Sequence, residues 1–325
     1  MRVVRALFAA FVMATPLLAV DGVVMNGSTS KPQAGVPVTL MQPGQNGMKA
    51  LASTKTDANG TFKIDKDIPP GPAIVQVLYE GATYNSVITP GSPTSGLSIV
   101  VNDTTTDPAS AKIAQHMILL EPSADHLNVN ETFLLTNETT KTYNNADKGS
   151  AQVFLPREAN ATAEVTISAP GGMPIRRPIE ATNQPGIFKV NYPVKPGETR
   201  FEVRYTLPKT GAFSTKTIST DGQLRLVTPG PVTLEGPEIE DLGQEPQTQA
   251  HIYNVKAKEF TAKINGTGSL SGASGEGAAK PADDSGAPEV VQSNARIYTR
   301  LPLVLGLTFA LLLAGGILLY RKGAV

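Results

Sequence analysis

The nine residues "TRFEVRYTL", 199–207, alternate without a break: Phe201, Val203, Tyr205 and Leu207 fall on one side, Arg200, Glu202, Arg204 and Thr206 on the other. A repeat of two is the repeat of a β-strand, and an apolar side opposite a charged one predicts antiparallel sheet with one face buried and one in water. "LNVNETFLL", 127–135, repeats the pattern with Leu127, Val129, Phe133 and Leu135, although Glu131 interrupts the apolar side. "VFLP", "AEVTISAPGG" and "IFKVNYPVKPGE" add strands between Gly and Pro turns, and "AHIYNVKAKEFTAKI" from Ala250 offers a closing strand. These runs predict an immunoglobulin-like β-sandwich over 111–264, with the acidic stretch Glu235, Glu238, Glu240, Asp241 and Glu245 as a solvated loop.

The region 20–102 shows short runs, "VPVTLM", "FKI", "AIVQVLY" and "GLSIVV", between clusters of Gly, Pro, Asn and Ser, and none has the repeat of an amphipathic helix. Within it, "TKTDANGTFKI", 54–64, has the acid, amide and glycine of a calcium loop. Aligning Gly60 with the loop glycine puts Lys55 and Lys66 where carboxylates are needed, which argues against calcium. The remaining reading is a turn at Asp57, Asn59 and Gly60 inside a β-hairpin.

Together, "KPQAGVPVTL", "TKTDANGTFKI" and "IPPGPAIVQVLYEG" resemble the carboxypeptidase regulatory-like domain, a transthyretin-like β-sandwich. The resemblance covers about a quarter of the chain, one domain's worth. It implies an accessory or scaffold module, because the zinc chemistry of the carboxypeptidases belongs to a different domain. No such domain is expected here, since His116, His126 and His251 are not followed by Glu at zinc-ligand spacing. Related adhesin modules carry a Lys–Asn isopeptide bond, but the first strand, "DGVVM", offers no lysine.

The two ends of the chain carry different signals. Residues 1–19 have basic Arg2 and Arg5, an apolar middle and Ala19 at a cleavage position, the plan of a secretory signal. Residues 301–320, "LPLVLGLTFALLLAGGILLY", carry no charge and are long enough as a helix to cross roughly 30 Å of hydrocarbon. Arg300, Arg321 and Lys322 bracket this run, with Tyr298 and Tyr320 at the interfaces. The Leu-Pro-x-Thr-Gly of cell-wall sorting is missing, and a glycolipid-anchor signal would not end on Arg321 and Lys322. The expected topology is a single pass with the bulk of the chain outside the cytoplasm, periplasmic or extracellular, and a cytoplasmic tail of 321–325. Residues 265–296, rich in Gly, Ser, Ala and Pro, are expected to form a flexible stalk. Gly306, Ala310 and Ala314 recur every fourth residue and mark a face for helix association, and so for a homodimer.

Chemistry is harder to find. The formal net charge is +0, which removes the electrostatic case for nucleic acid. With Cys 0 there is no disulfide, thiolate nucleophile or covalent haem site. His116, Glu121, Asp125 and His126 are close in sequence and of metal-ligating type, but "HMILLEP" reads as a strand and "SADHL" as the turn after it, so their side chains need not converge. No Gly-x-Ser-x-Gly elbow occurs, and Arg176 and Arg177 read as exposed loop charges. Asn26, Asn59, Asn102, Asn130, Asn137, Asn160 and Asn265 open Asn-x-Ser/Thr sequons. These are glycan acceptors in a eukaryotic secretory pathway, and turn or strand residues in a bacterium. The short signal and minimal tail lean bacterial.

The expectation is an all-β protein of two tandem β-sandwiches, transthyretin-like then immunoglobulin-like, with one C-terminal transmembrane helix. Without a catalytic, cofactor or metal constellation, its work is expected to be recognition of a peptide, protein or cell-surface glycan. Sheet edges and the loops "PPGP" from Pro69 and "PGG" from Pro170 are the expected surfaces. The alternatives are an accessory subunit of a membrane enzyme or transport assembly, and a hydrolase with an unrecognised site.

Overall fold

In the computed structural model, which describes residues 19–270 apart from 45–46, 160–161, 171 and 219–221, the alternating runs build two separate hydrophobic cores. Both lie in one compact unit. The described chain is all-β, and its helical structure is confined to two three-residue turns, Pro108–Ser110 and Arg157–Ala159.

The first core uses strands β1 (Val20–Asn26), β2 (Lys31–Pro32), β3 (Pro37–Gly44), β4 (Gly47–Lys55), β5 (Thr61–Ile64), β6 (Ala73–Tyr79), β7 (Ala82–Ile88) and β8 (Leu97–Val101). One sheet runs β2-β1-β5, with β8 added parallel to β1; the other runs β4-β3-β6-β7. Val24, Val38, Leu40, Phe62, Val75 and Val77 share one buried cluster, so the inward residues of both sheets meet, as the period of two requires. The parallel β1–β8 pair brings backbones close at Gly22, where a Cβ would stand 2.2 Å from the Leu97 carbonyl oxygen.

The expected hairpin at 54–64 is corrected. The turn is present, but β4 pairs with β3 and β5 pairs with β1, so the chain passes from one sheet to the other. Asp57 Oδ1 accepts from the amides of Asn59 at 2.9 Å and Thr61 at 2.8 Å, committing that oxygen to backbone donors. Gly60 takes φ +72 and packs under β1, where a Cβ would lie 2.6 Å from the Val24 carbonyl oxygen. Side-chain periodicity shows that two strands flank a turn; it carries no information about which partner each strand takes.

The second core uses β9 (Thr104–Thr105), β10 (Lys112–Pro122), β11 (His126–Asn137), β12 (Thr142–Tyr143), β13 (Ala151–Phe154), β14 (Glu164–Ser168), β15 (Ile175–Arg177), β16 (Glu180–Ala181), β17 (Ile187–Val190), β18 (Gly197–Pro208), β19 (Ala212–Lys216), β20 (Leu224–Thr228), β21 (Thr233–Glu235), β22 (Ile239–Gln244), β23 (His251–Val255) and β24 (Glu259–Asn265). An eight-stranded sheet runs β15-β14-β18-β11-β10-β20-β23-β22, and two three-stranded sheets, β13-β17-β16 and β19-β24-β21, contribute to the same core. Phe201, Val203 and Tyr205 of β18 are buried, whereas Arg200 and Arg204 are exposed.

Three expectations change in detail. The acidic stretch is not a loop: residues 239–244 form edge strand β22, paired to β23 with a bulge at Asp241. Arg176 and Arg177 lie on edge strand β15, where Arg176 reaches Glu164 at 3.4 Å. The stalk expected from Asn265 is tied to the body as far as 270, because Gly268 N–H donates to the Pro122 carbonyl and Leu270 N–H to Glu121 Oε1 at 2.7 Å. Among the described residues no helix is long and apolar enough to cross a membrane. The expected signal, the remainder of the stalk, the span at 301–320 with Gly306, Ala310 and Ala314, and the tail all lie outside the described residues.

Candidate functional site

The two cores meet at a polar junction built largely from asparagines read in the sequence as sequons. Asn26, at the end of β1, donates from Nδ2 to Asp103 Oδ1 at 2.6 Å and Gln33 Oε1 at 3.0 Å, while its Oδ1 accepts from the Ser28 amide at 2.8 Å. Asn102 Nδ2 donates to the Thr140 carbonyl at 2.9 Å, and Ser28 Oγ to the same carbonyl at 2.6 Å. Asn137 Nδ2 spans the carbonyls of Lys141 at 2.7 Å and Val194 at 2.9 Å. All three asparagines are buried. A glycan on any of them would replace an amide hydrogen that the junction uses and would not fit inside it, which favours folding where these sequons are left unmodified.

Tyr79 and Tyr84 complete the junction. Tyr79 OH donates to Asp103 Oδ1 at 3.0 Å. Its pKa is pushed up to about 12, first by burial and then by that carboxylate. With the folded value above the unfolded one of 10.0, Tyr79 contributes stability that is present below pH 10 and lost as pH rises towards 12. Alkaline titration followed by circular dichroism should therefore show less loss between those limits in Tyr79→Phe than in the wild type. Equal loss would remove Tyr79 from the account.

Tyr84 is buried on β7. Its OH bridges the Asn102 amide and carbonyl, both at 3.1 Å, and contacts Thr142 Oγ1 at 2.8 Å. Over its ring, 4.6 Å from the centroid, lies Lys195 Nζ. Lys195 is held from behind: Val194 exchanges two backbone hydrogen bonds of 2.9 Å with Tyr143, and Pro196 keeps the preceding residue extended. Burial lowers the Lys195 pKa from its usual 10.5. Among the described residues no carboxylate lies within ion-pair distance of it. The ammonium borders a cleft of about 390 Å³ lined by β7, β8 and the loop at Pro170, with Asn85, Ser86, Ser98 and Asn102 supplying polar groups. Pro170, from one of the two loops expected to recognise a partner, thus lines this cleft. The other is latched, since Gln42 Nε2 donates to the Pro69 carbonyl at 3.0 Å.

A larger groove, about 490 Å³, crosses the outer face of the eight-stranded sheet. Its charges already have partners: Glu121 accepts from Ser269 and Leu270, Glu164 meets Arg176, and Arg204 meets Glu202 at 3.0 Å. The smaller cleft, with its unmatched cation, is the stronger candidate for a binding site.

The histidine group does not assemble. His116 on β10 lies opposite Phe133, seven residues along β11 from His126, roughly 23 Å at the rise of a strand. His116 faces the second core, where its Nε2 lies 2.7 Å from Glu131 Oε1 and its ring stacks on Phe133 at 4.4 Å. Sequence reasoning saw Glu131 only as an interruption. The available signal was that an acid and a histidine both took inward positions on neighbouring strands. Tyr205 is buried beside them, and burial followed by the Glu131 charge pushes its pKa well up.

His126 lies in the turn with Ser123 and Asp125, the three residue types of a hydrolase triad. Ser123 Oγ at 2.8 Å and Asp125 Oδ1 at 2.7 Å both meet the same ring nitrogen, Nδ1. A triad needs the acid on one nitrogen and the nucleophile on the other, so this arrangement does not activate Ser123 by that route. The His126 contact also holds the Asp125 carboxyl below its usual range.

No family model matches the sequence, and no curated protein matches it. Among solved structures, similar chains include an M1 zinc metallopeptidase from Deinococcus radiodurans, at 12% identity and a TM-score of 0.27 over 47% of this chain and 42% of that one. Leukotriene A4 hydrolase from Saccharomyces cerevisiae matches at 10% identity and a TM-score of 0.29 over 48% of this chain and 29% of that one. The chain thus spans less than half the length of either structure, and likeness at this level carries no argument about activity.

Among the described residues no group of three His, Cys, Asp or Glu is placed to hold a metal ion. The melting temperature of the purified chain should therefore be the same with and without a chelator. A fall on chelation would point to a metal bound elsewhere in the chain.

Proposed function

We infer that this chain is a non-catalytic, membrane-anchored binding or scaffold protein that recognises a peptide, protein or cell-surface glycan outside the cytoplasm. The observation that carries the reading is the Lys195 cleft, a fixed cation without a counter-ion at the seam of two bodies. Two four-stranded sheets on one core support assigning the first body to the transthyretin-like, carboxypeptidase regulatory-like class. An eight-stranded sheet sharing one core with two shorter sheets supports an immunoglobulin-like sandwich for the second. The apolar runs at both ends of the sequence support secretion and a single C-terminal span, with the body outside.

Two experiments test this reading. Protease added to intact spheroplasts should remove the chain up to the neighbourhood of Tyr298; protection of the body would contradict the topology. The purified chain should turn over no peptide, ester or glycoside. Turnover abolished by a single substitution of Ser123, Asp125 or His126 would overturn the non-catalytic assignment.

A further inference from the structure

Resting on the reading of this chain as a binding protein, we propose that the cleft between β7 and β8 takes an extended acidic peptide, which adds as a strand to one of these edges and places a carboxylate on Lys195. Three independent observations converge there. Among the described residues β7 pairs only with β6 and β8 only with β1, so both sheets of the first body end in an unpaired edge, and both edges border the same cleft. An unpaired edge presents alternate N–H and C=O groups at strand spacing, which is the complement of a peptide backbone.

The second observation is the cation. Lys195 Nζ has the Tyr84 ring as its partner and no carboxylate in reach, while Val194 and Pro196 fix the backbone on either side. A half-buried ammonium that has lost water and gained only an aromatic face is improved by an anion, and a carboxylate would supply the charge-assisted hydrogen bonds that the protein leaves unmade. Burial is the cause of the lowered Lys195 pKa, and among the described residues no acid offsets it.

The third is the apolar surface along the edges. Val87 on β7 and Val100 on β8 are 52% and 53% exposed, unusual for large aliphatic side chains. Asn85 and Val87 share the exposed face of β7, and Ser98 and Val100 that of β8, while Lys195 lies over the buried ring of Tyr84. A bound strand alternates its side chains, so one set meets Lys195 and the other continues the polar and apolar outer face of the edge it joins. An acidic glycan would satisfy Lys195 but offers neither a strand backbone for the edges nor apolar groups for the valines. A phosphate would satisfy the charge alone.

The competing account makes Lys195 a strut that plugs the seam, with Pro170 and Pro196 blunting the edges as prolines often do. Calorimetric titration of the full-length chain separates the two. The probe is an acetylated, amidated hexapeptide of alternating Glu and Val; the controls are the same peptide with Lys for Glu, a galacturonic acid hexamer, and inorganic phosphate. The proposal expects binding of the Glu-Val peptide, weakened about tenfold or more in Lys195→Ala, retained in Lys195→Arg, and lost as salt rises. Backbone amides of β7 or β8 should become protected from hydrogen exchange only when that peptide is bound, a change a strut would not produce.

Binding of the galacturonic acid hexamer or phosphate instead of the peptide, with the same dependence on Lys195, would overturn the peptide assignment and leave the binding reading standing. Equal peptide affinity in wild type and Lys195→Ala would place the contact elsewhere and overturn the proposal. No binding of any probe, with only a lower melting temperature in Lys195→Ala, would make Lys195 a strut. Failure of the broader reading appears separately, as turnover in the hydrolase screen.

Discussion

Replacing either His116 or Glu131 with alanine is expected to destabilise the protein by about 3–5 kcal/mol, the cost of leaving one member of a buried pair without its partner. Both side chains are almost fully enclosed, at 2% and 5% exposure, and Nε2 and Oε1 lie 2.7 Å apart. His116 Nδ1, Glu131 Oε2 and Tyr205 OH have no hydrogen-bond partner among the described residues, so neither member of the pair has a second hydrogen bond to fall back on. For a body of this size the loss corresponds to a drop of roughly 6–20 °C in melting temperature. The double variant His116→Leu with Glu131→Met keeps similar volume and removes both polar groups. It should recover most of the loss and can exceed the wild type by about 1–4 kcal/mol. Thermal melts of the wild type, His116→Leu, Glu131→Met and the double variant form a double-mutant cycle, with the two alanine variants measured beside them. A single variant melting with the wild type would show that the pair contributes nothing, and a double variant worse than both singles would point to a role beyond mutual neutralisation.

The second large effect is expected at Tyr84, which ties the first core, the junction and the cleft together. Tyr84→Phe keeps the ring but strands the Asn102 amide and Thr142 Oγ1, at a cost of about 1–3 kcal/mol. Tyr84→Ala also empties a core position and should cost about 3–5 kcal/mol. The two differ in what they do to Lys195. In Tyr84→Phe the ammonium keeps an aromatic face; in Tyr84→Ala it is exposed to water, and its lowered pKa should return towards 10.5. Nitrogen-detected NMR of lysine during a pH titration reads this directly. The sign is fixed by linkage: a folded value below the unfolded one makes the wild type gain stability from Lys195 as pH rises through the folded pKa, and this gain should fade in Tyr84→Ala. An unchanged Lys195 titration in Tyr84→Ala would mean that the ring is not what shields it.

Strand content was legible because it depends on a local repeat. "TRFEVRYTL" declares its buried side without reference to any other segment, and β18 buries Phe201, Val203 and Tyr205 accordingly. Pairing was not legible, because it depends on where distant segments lie. The turn at Asp57 and Gly60 forms as its residues demand, yet it joins two sheets instead of closing a hairpin, and β10 takes β20 as a parallel neighbour. The acidic stretch near 240 reads as a solvated loop because its outward charges dominate. As β22, it shows the charges and the bulge that protect an exposed edge.

The site was legible only in part. The loop at Pro170 stood out by composition, but Lys195 did not, since a lysine flanked by Pro193 and Pro196 resembles any surface loop. Its meaning comes from Tyr84 and Asn102, far away in sequence. Glu131 was a flaw in one strand and His116 half of a metal motif until the β10–β11 register set Glu131 opposite Ile118 and His116 opposite Phe133, placing the two diagonally on the inner face. The sequons allowed two readings, glycan acceptors or turn and strand residues, and neither named the partners: Asn26, Asn102 and Asn137 are amides that bind backbone at the junction.

The central claim is that recognition takes place in the Lys195 cleft, and site-specific photocrosslinking in native membranes tests it most directly. A photoreactive residue is placed at Ser98, inside the cleft, and in a separate protein at exposed Lys49 on β4. The account predicts one discrete adduct from Ser98, mapped by mass spectrometry to an acidic extended segment of its partner, absent from Lys49 and lost when Lys195→Ala is added. No adduct from Ser98, or the same adduct from Lys49, would contradict it.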